Sequence, residues 1–146
     1  MDFNILATFK KECEYYSNKL YKAWKKYGKI IICVDFDDTI RAHHEECATT
    51  VNDAIFAVQE AQQLGATVIL YTCRGPKDYK MIEEYCKEIN FNYDILNPTE
   101  PFKDGYSTKP YCNILLDDKA GLEQSILILM DAIEHYKLYK YETEYK

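Results

Sequence analysis

The chain has 146 residues and a formal net charge of −6, with 47% hydrophobic and 29% charged residues. These values fit one globular domain able to bury roughly 68–70% of its unfolded surface. They argue against non-specific binding along nucleic acid, which needs a basic surface, and no apolar run approaches the ~20 residues that span a bilayer. Met1 to Leu6 lacks a basic segment followed by an apolar stretch, so a cytoplasmic location is expected. The six cysteines, Cys13, Cys33, Cys47, Cys73, Cys86 and Cys112, form no C-x-x-C pair and read as reduced thiols.

Residues 2–27 place Leu6, Phe9, Cys13, Tyr16, Leu20 and Trp24 at helical spacing, which predicts an amino-terminal helix ended by Gly28. Its other face carries Lys10, Lys11, Lys19, Lys22, Lys25 and Lys26 and reads as a solvated surface. Ile30 to Val34 is then a β-branched run that reads as a buried strand. It stops on Asp35, Asp37 and Asp38, three carboxylates within four positions. Such a cluster is repulsive unless a cation, a proton or ordered donors hold it, and one helix cap explains only one of the three. The polar segment from Arg41 to Ala48 is placed as a flap over the strand end. Its His, Glu and Cys residues lack the second ligand pair that zinc sites usually show.

Thr50-Val51-Asn52-Asp53 resembles a capping box, and a helix is expected to follow with Val51, Ile55, Val58 and Leu64 inward and Gly65 as its stop. Thr67 to Tyr71 predicts a second buried strand, ending on Thr72-Cys73-Arg74-Gly75. Pro76 suits the first position of a helix whose inner face is Met81, Ile82, Tyr85, Cys86 and Ile89. A short strand is expected near Tyr93 to Leu96, then a Pro- and Gly-rich loop from Asn97 to Pro110 that contains Lys109. Asn113 to Leu116 is the fourth strand and ends on Asp117-Asp118. Beyond Gly121 a long helix is preferred, with a fifth strand at Ser125 to Leu129 as the alternative and a fraying tail after Tyr139. Alternating strands and helices imply an α/β, Rossmann-like sandwich around a mostly parallel sheet. Arg41 and Arg74 are the only arginines, each just after a carboxylate- or hydroxyl-bearing strand end, which suggests phosphate contacts. Cys73 has no activating histidine motif beside it and reads as a packing residue.

The order of these features resembles the haloacid dehalogenase-like (HAD) superfamily of phosphohydrolases. Its four motifs match here as Asp35-Phe36-Asp37-Asp38-Thr39, Thr72, Lys109 and Asp117-Asp118. The match covers about residues 29–122, and Thr72-Cys73-Arg74 looks like a small capless bacterial and phage branch. Length and periodicity give a single domain with an amino-terminal helix to residue 28 and a helix and tail over 121–146, both outside the resemblance, which implies a catalytic core over 29–120 and a strand order of about 3-2-1-4. The resemblance implies a phosphatase in which Asp35 is the nucleophile, forming an aspartyl-phosphate, and Asp37 the general acid/base. Asp35, Asp37 through its carbonyl, Asp117 and, nearby or through water, Asp118 would hold Mg²⁺, while Thr72 and Lys109 hold the phosphoryl oxygens. Thr39 would shape the turn. Neither gap between motifs has room for a cap, so the implied site is open and takes a phosphorylated small molecule or macromolecule end. Two other readings stand beside it: a catalytically idle fold of the same kind that binds a partner, and a receiver-like phosphoacceptor, whose site order differs. Neither the substrate nor the oligomeric state is legible in the sequence.

Overall fold

The computed structural model describes residues 3–97 and 110–145, with the side chains of the first helix described from Ala7 onward. Helix α1 (Phe3–Tyr27) leads through Gly28, whose φ of 72° suits glycine, into strand β1 (Ile31–Val34). A short 3₁₀ turn (Glu45–Cys47) precedes helix α2 (Ala48–Gln63) and strand β2 (Thr67–Leu70). A second 3₁₀ turn (Pro76–Asp78) opens helix α3 (Tyr79–Glu88), which is followed by strands β3 (Ile95–Leu96) and β4 (Ile114–Leu116) and by helix α4 (Leu122–Glu144). The strands form one all-parallel sheet in the order β3-β2-β1-β4, flanked by helices, as an α/β Rossmann-like fold requires.

β1 lies inside the sheet because its sequence lets it: three of its four residues are buried, so neither side needs a polar face. Ile32, Val34, Val68, Leu70 and Leu116 meet apolar residues of all four helices in one core cluster. Cys33 and Ile69 alternate to the other side and are buried as well. Trp24 of α1 stacks on Tyr136 of α4 with ring centroids 4.6 Å apart, and Ser17 donates to Asp131, so the two long helices are locked together. Removing a large side chain such as Trp24 would cost ~3–5 kcal/mol.

The structure corrects several local expectations. Phe9 and Tyr16 are 41% and 49% exposed, because α1 turns a stripe through Cys13, Ser17, Leu20 and Trp24 toward α4 instead. Buried Ser17 is tolerated there because Asp131 satisfies its hydroxyl, a pairing that periodicity of apolar residues cannot reveal. Thr50 and Asp53 lie inside α2, since the 3₁₀ turn starts the helix earlier than the capping-box pattern implies. Ser125 to Leu129 is helical, and α4 continues past Tyr139 to Glu144, with a Lys140–Glu144 ion pair in its last turn. No helix among the described residues is long and apolar enough to cross a membrane.

Candidate functional site

The carboxyl ends of β1, β2 and β4 converge on a hollow of about 470 Å³, lined by Asp35, Asp37, Asp38, Thr72, Arg74, Asp117 and Asp118 together with His43, His44, Cys73 and Lys119. The sheet register explains the convergence. Val34 pairs with both Leu70 and Leu116, so the next residues on each strand leave the ladder at one level. Asp35 is still tied to the sheet by donating its backbone N–H to Leu116.

After Asp35 the chain makes a tight turn around the buried ring of Phe36, whose carbonyl accepts the N–H groups of Thr39, Ile40 and Arg41. Asp38 sits in this turn with φ of 56°, a left-handed conformation that Asp tolerates better than most residues. Its side chain then organises the flap. One oxygen accepts the backbone N–H groups of His43 and His44 at 2.8 and 2.9 Å, and the other lies 2.6 Å from His44 Nδ1. These donors hold the Asp38 carboxyl down to about 2, the His44 backbone bond contributing most, and the same contact raises the His44 imidazole above its ordinary value.

Asp35, Asp117 and Asp118 each present an oxygen such that all three lie within 4.8 Å of one another. Burial pushes the Asp35 carboxyl up to about 7, with a hydrogen bond to Asp118 and the charge of Asp117 adding to the rise. Thr39 joins the two halves of this cluster. Its hydroxyl accepts the backbone N–H of Asp118 at 3.2 Å and donates toward Asp35 Oδ2 at 3.5 Å, a shaping role rather than a reacting one. Three oxygens this close at two strand ends could hold a metal ion, and all-oxygen ligands suit hard cations.

The Asp37 carboxylate faces elsewhere. Arg74 Nε donates to Oδ2 at 2.7 Å and Nη2 donates to Oδ1 at 3.1 Å, so the guanidinium closes a two-pronged fork on it, with Asp78 3.6 Å away on the other side. Asp37 is therefore in the hollow without its carboxylate belonging to the three-oxygen cluster. Thr72 is 4% exposed, and its hydroxyl accepts the backbone N–H of Arg74 at 3.1 Å. Its own proton is left to point elsewhere.

Of the residues singled out from sequence, Asp35, Asp37, Thr72, Arg74, Asp117 and Asp118 share this hollow. Arg41 does not line it. Its guanidinium lies over the rings of Tyr85 and Phe36, 5.5 and 5.9 Å from their centroids, and Nη1 donates to the Met81 sulfur, so it packs the back of the turn. Lys109 lies outside the described residues, as does most of the loop that carries it. Cys73 is exposed and lines the hollow, contrary to the packing role expected of it, because the chain has already left the sheet by that position. Lys119 and Asn97 carry no local sequence signal. Lys119 is brought in by a turn in which its N–H donates to the Asp117 side chain, whereas Asn97, just after β3, does not line the hollow but bonds the backbone of Thr72, which does. On comparison, no protein-family model, curated protein or solved structure matched this chain.

Proposed function

We propose that this protein is a Mg²⁺-dependent phosphohydrolase that cleaves a phosphomonoester through an aspartyl-phosphate on Asp35. The observation that carries the reading is the meeting of Asp35, Asp117 and Asp118 within 4.8 Å at the ends of adjacent parallel strands, beside the buried hydroxyl of Thr72. Burial, with Asp118 and Asp117 adding to it, pushes the Asp35 carboxyl up to about 7, and a cation bound there would favour its ionised form. Mg²⁺ held by these oxygens would supply charge neutralisation, letting an ionised Asp35 approach a phosphate dianion.

Each remaining step belongs to the chain's own groups. An Asp35 carboxylate oxygen attacks phosphorus in line, the bond from phosphorus to the ester oxygen breaks, and Asp37, which takes up a proton from water once Arg74 has left it, gives that proton to the departing alcohol. Asp37 then takes a proton from water as that water attacks phosphorus, the bond to Asp35 breaks, and inorganic phosphate leaves. Thr72 donates its hydroxyl proton to a phosphoryl oxygen. Arg74 serves twice in this reading: its fork holds Asp37 in the absence of substrate, and an arriving phosphate draws the guanidinium away, freeing Asp37. Lys109 would add a cation, and the substrate is a phosphorylated small molecule or macromolecule end.

The test is release of inorganic phosphate from an aryl phosphate and a nucleotide panel with Mg²⁺, alongside Asp35→Asn and a chelator. Repeated turnover that falls by at least about a thousandfold in both controls is expected. Phosphorylation of Asp35 without release would instead mark a phosphoacceptor module, and beryllium fluoride binding without any turnover would mark an idle fold.

A further inference from the structure

We propose that Asn97 is a positioning residue for phosphoryl recognition: its side-chain amide takes the place of a missing peptide group of β3 and thereby sets both Thr72 and Arg74. The inference rests on the phosphohydrolase reading of the hollow. In a parallel sheet every N–H and C=O of an inner strand needs a partner on the strand beside it. Asn97 donates its backbone N–H to Leu70 at 2.9 Å, the last main-chain rung between β2 and β3. β3 ends at Leu96, and Asn97 has φ of 42°, a left-handed conformation that Asn tolerates. Thr72 would lose its partners at a position only 4% exposed.

The amide replaces them in one planar group. Asn97 Oδ1 accepts the Thr72 N–H at 2.8 Å, and Nδ2 donates to the Thr72 carbonyl at 3.0 Å. Nδ2 also donates to the Tyr79 hydroxyl at 2.8 Å and reaches the Arg74 carbonyl at 3.5 Å. The clamp thus spans the residues from the hydroxyl to the guanidinium and ties them to α3. Other ladder ends use a side chain more simply. Asp94 accepts the Val68 N–H and Asn113 accepts the Ile31 N–H, each near the amino ends of the strands and away from the hollow. Among the described residues, only at the end facing the hollow does one amide hold both backbone groups of a residue and reach the next turn of chain. With the backbone of Thr72 fixed and its Oγ1 accepting from Arg74, the hydroxyl keeps its own proton to donate, and in this reading a phosphoryl oxygen accepts it.

A mere strand cap would stabilise the fold without affecting phosphate. The two roles separate in a double-mutant cycle on the full chain with Mg²⁺, using Asn97→Gly, which keeps the left-handed backbone, and Thr72→Val. Aryl phosphate turnover and inorganic phosphate binding are both read well below the unfolding temperature of each variant. Asn97→Gly should lower kcat/KM and phosphate affinity about 10–100-fold in the parent, and less than about threefold when Thr72 is already Val. Asn97→Asp keeps the acceptor and the backbone preference but turns a carboxylate oxygen on two carbonyls, and should also lose affinity, which guards against a simple failure of the glycine variant to fold. Folded variants with unchanged kcat/KM, or losses that multiply across the cycle, overturn the positioning role while leaving the hydrolase. A wild-type protein that neither turns over nor binds phosphate overturns both.

Discussion

Asn substituted for Asp35 should make the metal-free protein more stable at neutral pH. The folded chain holds the Asp35 carboxyl at about 7, chiefly through burial and then through Asp118 and Asp117, against 3.8 when unperturbed. A carboxyl whose folded pKa lies above its unfolded value binds more protons when folded. Stability therefore falls as pH rises from about 4 to about 7, and the penalty is complete above that range. A rise of about three pH units corresponds to at most ~4 kcal/mol, and because three carboxylates share the repulsion, one substitution should recover ~2–4 kcal/mol. For a chain of this length that is a rise of about 5–12 °C in Tm. The assay is thermal unfolding followed by circular dichroism, in a chelator, at pH 8 and pH 5. Asp35→Asn should melt higher than wild type at pH 8, with the gap more than halved at pH 5. Mg²⁺ added at pH 8 should raise the wild-type Tm and leave that of Asp35→Asn nearly unchanged, since a cation that binds only the folded cluster stabilises it by mass action. An Asp35→Asn protein that melts at or below wild type at pH 8 would refute the claim that this cluster is electrostatically frustrated without a cation.

Two further outcomes follow from the same charges and burial. The Asp38–His44 contact lends stability on the Asp38 side that is present above about 4 and lost as pH falls toward 2, and on the His44 side that is full below about 6.5 and lost as pH rises through its raised value. A proton NMR titration should place the His44 midpoint above that of an ordinary imidazole, and Asp38→Asn should return it; an unshifted His44 would break the flap contact. Thiol labelling of the native chain should modify exposed Cys73 first and Cys86 only on unfolding, because burial closes access to Cys86 and pushes its thiol up to about 11. Early labelling of Cys86 would mean that α3 opens readily.

How much of this was legible in sequence depends on how local the cause is. The strand ends at Asp35 and Asp117 could be read because a β-branched run that stops on carboxylates is a short-range pattern, and parallel register then brings the two ends together. The same logic placed Thr72. It could not separate Arg41 from Arg74, which look alike in sequence, each a lone arginine after a strand-end motif, although only Arg74 lines the hollow. What separates them is tertiary: the turn around Phe36 carries Arg41 back over Tyr85, while the exit from β2 carries Arg74 over Asp37. Asn97 was invisible for a related reason. A loop-opening Asn before Pro98 is common chemistry for a turn, and its use as a substitute peptide group appears only once β3 is seen to stop at Leu96.

The Arg74–Asp37 fork also constrains how the site can work. A carboxylate whose two oxygens both accept from a guanidinium carries no proton to deliver, so in the proposed reaction Asp37 must first part from Arg74 and take up a proton. In the proposed reading a dianionic phosphate would compete for the guanidinium with the same forked geometry as a carboxylate. Asp78, 3.6 Å from Arg74, gives the guanidinium a second anion. Phosphate binding and the freeing of Asp37 would then be one event, and without phosphate Asp37 would stay engaged by Arg74.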